Sequence, residues 1–165
     1  HFGEPSGHGT WVYEAMQEGL VVKPCFMQVG LRSPGERSAR EYVRDQGGLI
    51  HGARDLRGLE SPLQLAPVLD GLRARLAAHG HPPLYVSLDI DCLDPAFAPG
   101  TGTPEPGGMS TNQVLSLLEG LQDIACVGMD CVEVAPPYDH AELTSLAAAS
   151  FVWTYLCSRL ASTRA

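Results

Sequence analysis

The chain has 165 residues, about the size of one ordinary domain, with 11 Lys+Arg against 19 Asp+Glu and a net charge of -8. Its 44% hydrophobic content excludes a disordered chain, and its acidity argues against nucleic acid or an anionic membrane as a partner. No apolar run reaches the length of a membrane span, and no signal-peptide pattern opens the sequence.

The charge is unevenly distributed. Residues 1–75 hold nine carboxylates and nine Lys+Arg, so they cancel, whereas 76–158 hold ten carboxylates and no Lys or Arg. Carboxylates without a basic neighbour either face water or bind cations. Five cysteines, Cys25, Cys92, Cys126, Cys131 and Cys157, form no C-x-x-C pair. That pattern predicts reduced, mostly buried thiols of a cytoplasmic protein, neither a disulfide framework nor a zinc site.

In chain order, Cys25–Leu31 (CFMQVGL) predicts a short strand closed by the turn Arg32-Ser33-Pro34-Gly35. A helix over Glu36–Gln46 ends at Gly47-Gly48. Ser61 caps a helix from Pro62 to Ala78 that buries Leu63, Leu65, Leu69, Leu72 and Leu76. Leu84–Leu88 is a second strand and Ser110–Leu121 a further helix. Ile124–Val134 is apolar enough for a parallel strand covered on both faces. Asp139-x-x-Glu142 has the pattern of a capping box, opening a helix with Leu143, Leu146, Ser150, Trp153, Leu156 and Leu160 on its buried side. Alternating strands and helices predict a parallel sheet between helical layers, with ligands at the carboxyl ends of its strands.

Ser87-Leu88-Asp89-Ile90-Asp91-Cys92-Leu93-Asp94-Pro95 carries the strongest local signal. Residues i and i+2 of a strand share a face, so Asp89 and Asp91 aim two carboxylates at one point. Such a pair suits a hard divalent cation, or else caps and hydrogen-bonds a strand end. An EF-hand is excluded, because the sixth position from Asp89 is Asp94 where glycine is needed. Asp94, before Pro95, reads as a turn residue. The Gly/Pro-crowded segment 97–108 lacks the lysine of a phosphate-binding loop and reads as either a site wall or a crossover connection.

Glu133 ends an apolar segment with no Lys or Arg within twenty residues, so its partner is a distant arginine or a cationic ligand such as a guanidinium. His8, between glycines, is accessible enough for proton transfer, or is simply exposed. His51, His79, His81 and His140 read as surface or helix-flanking residues.

SLDIDCLDPAFAPGTGTPEPGG (Ser87–Gly108), VGMDCVEVAPPYD (Val127–Asp139) and His8-Gly9-Thr10 together resemble the agmatinase branch of the ureohydrolases, the arginase-like enzymes. The resemblance implies a three-layer α/β/α fold with a parallel sheet. It also implies a homo-oligomer and two Mn2+ ions that activate water for attack on a guanidinium carbon, releasing urea and an amine. On that reading Asp89 and Asp91 are metal ligands and His8 carries a proton to the leaving amine. Glu133 holds the guanidinium, with Thr103 in support. The family's G-G-D-H and D-A-H-x-D ligand motifs do not occur here, and His1-Phe2-Gly3 resembles the residues just after the second. Residues 1–165 are therefore expected to be the C-terminal portion of a single ureohydrolase domain, either part of a longer enzyme or a non-catalytic piece that keeps the fold. Glu4, Trp11 and Tyr13 near His8, without Lys or Arg, favour agmatine over a guanidino acid such as 4-guanidinobutyrate.

Overall fold

The structure, a computed structural model, describes residues 5–162. Among them four strands form two parallel pairs where one sheet was expected: β1 (Met27–Val29) with β2 (Leu49–His51), and β3 (Leu84–Asp89) with β4 (Cys126–Val132). Six helices accompany them: α1 (Trp11–Gln17), α2 (Arg37–Arg40), α3 (Tyr42–Asp45), α4 (Pro62–Ala78), α5 (Thr111–Glu119) and α6 (Leu143–Ser162). The helix anticipated over 36–46 is broken at Glu41 into α2 and α3. Only Val43 of these two is buried, so packing does little to extend either one.

Local sequence sets the two best-defined helix starts. Ser61 Oγ accepts from Gln64 N at 3.3 Å while Gln64 Oε1 accepts from Ser61 N at 3.1 Å. Ser110 and Gln113 repeat this reciprocal arrangement at α5. Gln113 Nε2 also donates to the carbonyls of Leu56 (2.7 Å) and Leu59 (2.9 Å), tying α5 to the segment before α4.

One core unites these elements. Leu65, Val68, Leu69, Leu72 and Leu76 of α4 meet Val114 and Leu118 of α5, Leu88 of β3, and Ala148 and Phe151 of α6. Leu63, expected on the buried side of α4, is 84% exposed, because it lies in the first turn beyond the edge of this core.

Two expectations about burial fail. β3 and β4 are not covered on both faces among the described residues: Tyr85, Val127 and Val132 are exposed. On the open face Asp130 accepts hydrogen bonds from Tyr85 Oη (3.0 Å) and Ser87 Oγ (2.8 Å). Helix α6 buries Thr144, Ala148, Phe151 and Tyr155, leaving Leu143, Leu146, Trp153, Leu156 and Leu160 exposed. Both sets repeat at helical spacing, and the core is reached by the one that includes Phe151.

Three features fall outside the expected pattern. The capping box expected between Asp139 and Glu142 is replaced by a direct cap, in which Asp139 accepts from the backbone N–H groups of Thr144 and Ser145. His51 is a strand residue whose Nε2 is buried without a hydrogen-bond partner among the described residues, and burial pushes its pKa down. Of the five thiols only Cys25 is buried, Cys92, Cys126 and Cys131 are half-buried and Cys157 is exposed, against the expectation of mostly buried thiols.

Candidate functional site

The carboxyl ends of β3 and β4 lie side by side, since Asp89 pairs in register with Val132. Beyond β3 the chain turns through a short 3-10 segment, Ile90–Cys92. Asp89 Oδ1 caps that turn by accepting from Asp91 N at 3.0 Å. The two carboxylates thus belong to one compact turn whose hydrophobic anchors, Ile90 and Leu93, are buried.

Glu133 follows β4 at φ +66°, the left-handed region that a non-glycine residue rarely adopts. Two contacts hold it there: Thr101 Oγ1 donates to the Glu133 carbonyl at 2.9 Å, and Thr101 forms an antiparallel bridge with Val134. The turn redirects the exposed Glu133 side chain back towards the loop, where a Cβ at Gly102 would lie 3.6 Å from its Oε2.

Segment 97–108 is therefore a wall stitched across both strand ends. Thr103 Oγ1 donates to Asp91 Oδ2 at 2.7 Å, so Thr103 supports the Asp91 carboxylate. Asp94 serves as a turn residue, its Oδ1 accepting from Ala96 N (3.0 Å) and its Oδ2 from Gly107 N (2.7 Å). These bonds hold its carboxyl below the usual range against the effect of partial burial. Gly100 N donates to the buried Thr144 Oγ1 at 2.8 Å, docking the loop on α6.

Electrostatics mark the same place. Burial pushes the Asp89 carboxyl up to about 6; the Asp91 N–H acts against this, while the charges of Asp91 and Glu133 add to it. Among the described residues, the ion pairs are Arg44–Glu41, Arg73–Asp70 and Arg73–Asp123, so none of these three carboxylates is ion-paired. Asp89 and Asp91 supply oxygen donors suited to a hard divalent ion. No group of three or more His, Cys, Asp or Glu side chains among the described residues could hold a metal ion. The pair fits part of a metal site.

His8 lies on a separate, exposed segment before α1. That segment is ordered by Thr10, whose Oγ1 accepts from Gly7 N (2.8 Å) and donates to Glu14 (2.6 Å). Trp11 and Tyr13 pair with Phe26 and Tyr42 at ring separations of 6.2 and 5.2 Å. Glu4 and His1-Phe2-Gly3 lie outside the described residues. The sequence reading missed Thr101, whose role shows only through the backbone of Glu133 thirty-two residues away.

Comparison with known proteins follows the same lines. A family model described as the arginase family matches residues 1–157. The agmatinase of Photorhabdus laumondii is 43% identical over 148 residues, 90% of this chain and 44% of that protein. Proclavaminate amidino hydrolase from Streptomyces clavuligerus superposes with a TM-score of 0.82 at 34% identity, over 98% of this chain and 52% of that one. A hypothetical agmatinase from Burkholderia thailandensis gives 0.79 at 37% identity, over 96% and 45%. These likenesses give the chain an arginase-like α/β/α fold, and it spans less than half the length of the curated relatives it matches. No helix among the described residues is long and apolar enough to cross a membrane.

Proposed function

Since the chain belongs to the arginase family, we propose that it carries part of a manganese-dependent amidinohydrolase site, cleaving a guanidino compound, agmatine foremost, to urea and an amine. The observation supporting this reading is the meeting of Asp89, Asp91 and Glu133 at adjacent strand ends, none of them in an ion pair among the described residues. Three carboxylates in one another's field call for positive charge, and a metal ion and a guanidinium would provide it.

When bound, Mn2+ supplies Lewis acidity and water that ionises near neutral pH. Asp89 and Asp91 are assigned as ligands, with Thr103 holding the Asp91 carboxylate in one orientation. The Glu133 carboxylate pairs with the planar fork of the guanidinium and fixes the reacting carbon. A water oxygen bonds to that carbon, the carbon–nitrogen bond to the alkyl amine breaks, and the leaving nitrogen takes a proton. His8 is assigned to deliver it. The curated relatives named agmatinase and the absence of Lys or Arg from residues 1–22 around His8 support agmatine over a guanidino acid.

Urea release from agmatine, 4-guanidinobutyrate and arginine, with and without MnCl2, tests this proposal. Mn2+-dependent release with agmatine preferred, abolished by Asp91→Ala, is the expected result. Undiminished activity in that variant refutes the metal assignment, and preference for either acid refutes the substrate. A second reading, a non-catalytic piece that keeps the fold, is favoured by the lack of a three-ligand group among the described residues. It predicts no urea release and no manganese in a chain with the intact mass of 17.6 kDa.

A further inference from the structure

We infer that Arg32 is a positioning residue of this site, its guanidinium fixing the turn that bears Asp91 against the loop that bears Thr103. The inference rests on the reading above for what the site does. Its geometry stands independently. Arg32 Nη2 donates to the carbonyls of Asp91 (2.8 Å), Leu93 (3.1 Å) and Glu105 (2.6 Å), and Nε donates to Glu105 at 2.9 Å. One side chain thus ties the turn that bears Asp91 to the loop at Glu105, two residues beyond Thr103.

The chain is shaped to bring it there. Arg32 follows β1, and Gly30 between them has φ +88°. A Cβ on Gly30 would approach Met109 Sδ to 3.3 Å and Cys92 Cβ to 3.4 Å, so the end of β1 abuts both the turn and the loop. The neighbouring Ser33 Oγ donates to Glu105 Oε2 at 2.7 Å, adding a second tie to the loop.

Chemistry favours arginine for this task. A rigid fork presents donors in fixed directions to several carbonyls at once, and a lysine ammonium on a flexible stem holds them less well. Arg32 also enters no ion pair among the described residues; it donates to backbone carbonyls of the turn and the loop. The acidic stretch 76–158, which has no Lys or Arg of its own, borrows an arginine from the neutral segment before it.

Arg32→Met and Arg32→Lys in the 165-residue chain provide the test, read first without metal by amide hydrogen exchange. In Arg32→Met the amides of Asp91, Asp94 and Met109, which bond within this turn and loop, should exchange about tenfold faster or more. Amides of Leu72 and Leu76 in α4 should be unchanged, and Arg32→Lys should fall between the two. Unaltered protection of the turn, or equal acceleration throughout α4, overturns the inference. Mn2+ titration followed by electron paramagnetic resonance is the second measurement, with a loss of about tenfold in affinity expected for Arg32→Met. Equal affinity in wild type and variant also overturns the inference. Failure of the wild type itself to bind Mn2+ favours the non-catalytic reading, and hydrogen exchange then decides the role of Arg32.

Discussion

Thr103 Oγ1 donates a 2.7 Å hydrogen bond to Asp91 Oδ2, joining the Gly/Pro-rich wall to the acidic turn. Thr103 is exposed, so Thr103→Val should change stability by less than about 0.5 kcal/mol. Freed from this donor, the Asp91 carboxylate samples other rotamers. Mn2+ affinity should fall by about tenfold. Urea denaturation combined with Mn2+ titration separates the two effects, and unchanged affinity would show that Thr103 does not orient a ligand.

Asp89 links the site to stability. Burial above all raises its carboxyl to about 6, whereas in the unfolded chain it titrates near ~3.9. Between these values the native state holds a proton that the unfolded state has lost. The stability contributed by that proton is present at low pH and lost as pH rises through about 6. Metal-free Asp89→Asn should therefore melt at a higher temperature than wild type near neutral pH, and the gap should close at about pH 4. A lower melting temperature for the variant near neutral pH would contradict this account.

Asp139 behaves oppositely. Partial burial acts to raise its carboxyl, but the N–H groups of Ser145 and Thr144 and their side chains together hold it well below the usual carboxylate range. Its contribution is present above the unfolded value of about 4 and lost as pH falls through the lower folded one. The same residue packs against the loop, since a Cβ on Gly100 would come within 2.6 Å of Asp139 Cα. Asp139→Ala should lower the melting temperature near neutral pH and converge with wild type under strongly acidic conditions. A pH-independent difference would assign the effect to packing.

Local chemistry made much of the fold legible in advance. Ser61 caps α4 as its place before Pro62 implies, and the helix expected from Ser110 forms as α5. Asp89 and Asp91 do lie together, but not as same-face strand neighbours: β3 ends at Asp89, which caps the 3-10 turn that carries Asp91. Asp94 turns the chain before Pro95 for similarly local reasons. By contrast, periodicity identified Leu143, Leu146, Trp153, Leu156 and Leu160 as one side of α6 without saying which side meets the core. A helix rich in apolar residues offers two candidate faces, and only packing against the strands selects between them.

The sequence by itself determined the acidic pair, the Ser61 cap and each motif segment that carries the family resemblance, because each is encoded in a short stretch of chain. Tertiary structure alone decided what surrounds that turn. Thr103 bonds Asp91 across twelve residues, Thr101 holds Glu133 in a left-handed conformation across thirty-two, and Arg32 reaches Asp91 across fifty-nine. No periodicity or motif spans such separations. They are set by which chain segments the core brings together, and through them the neutral first part of the chain supplies a cation to the acidic second.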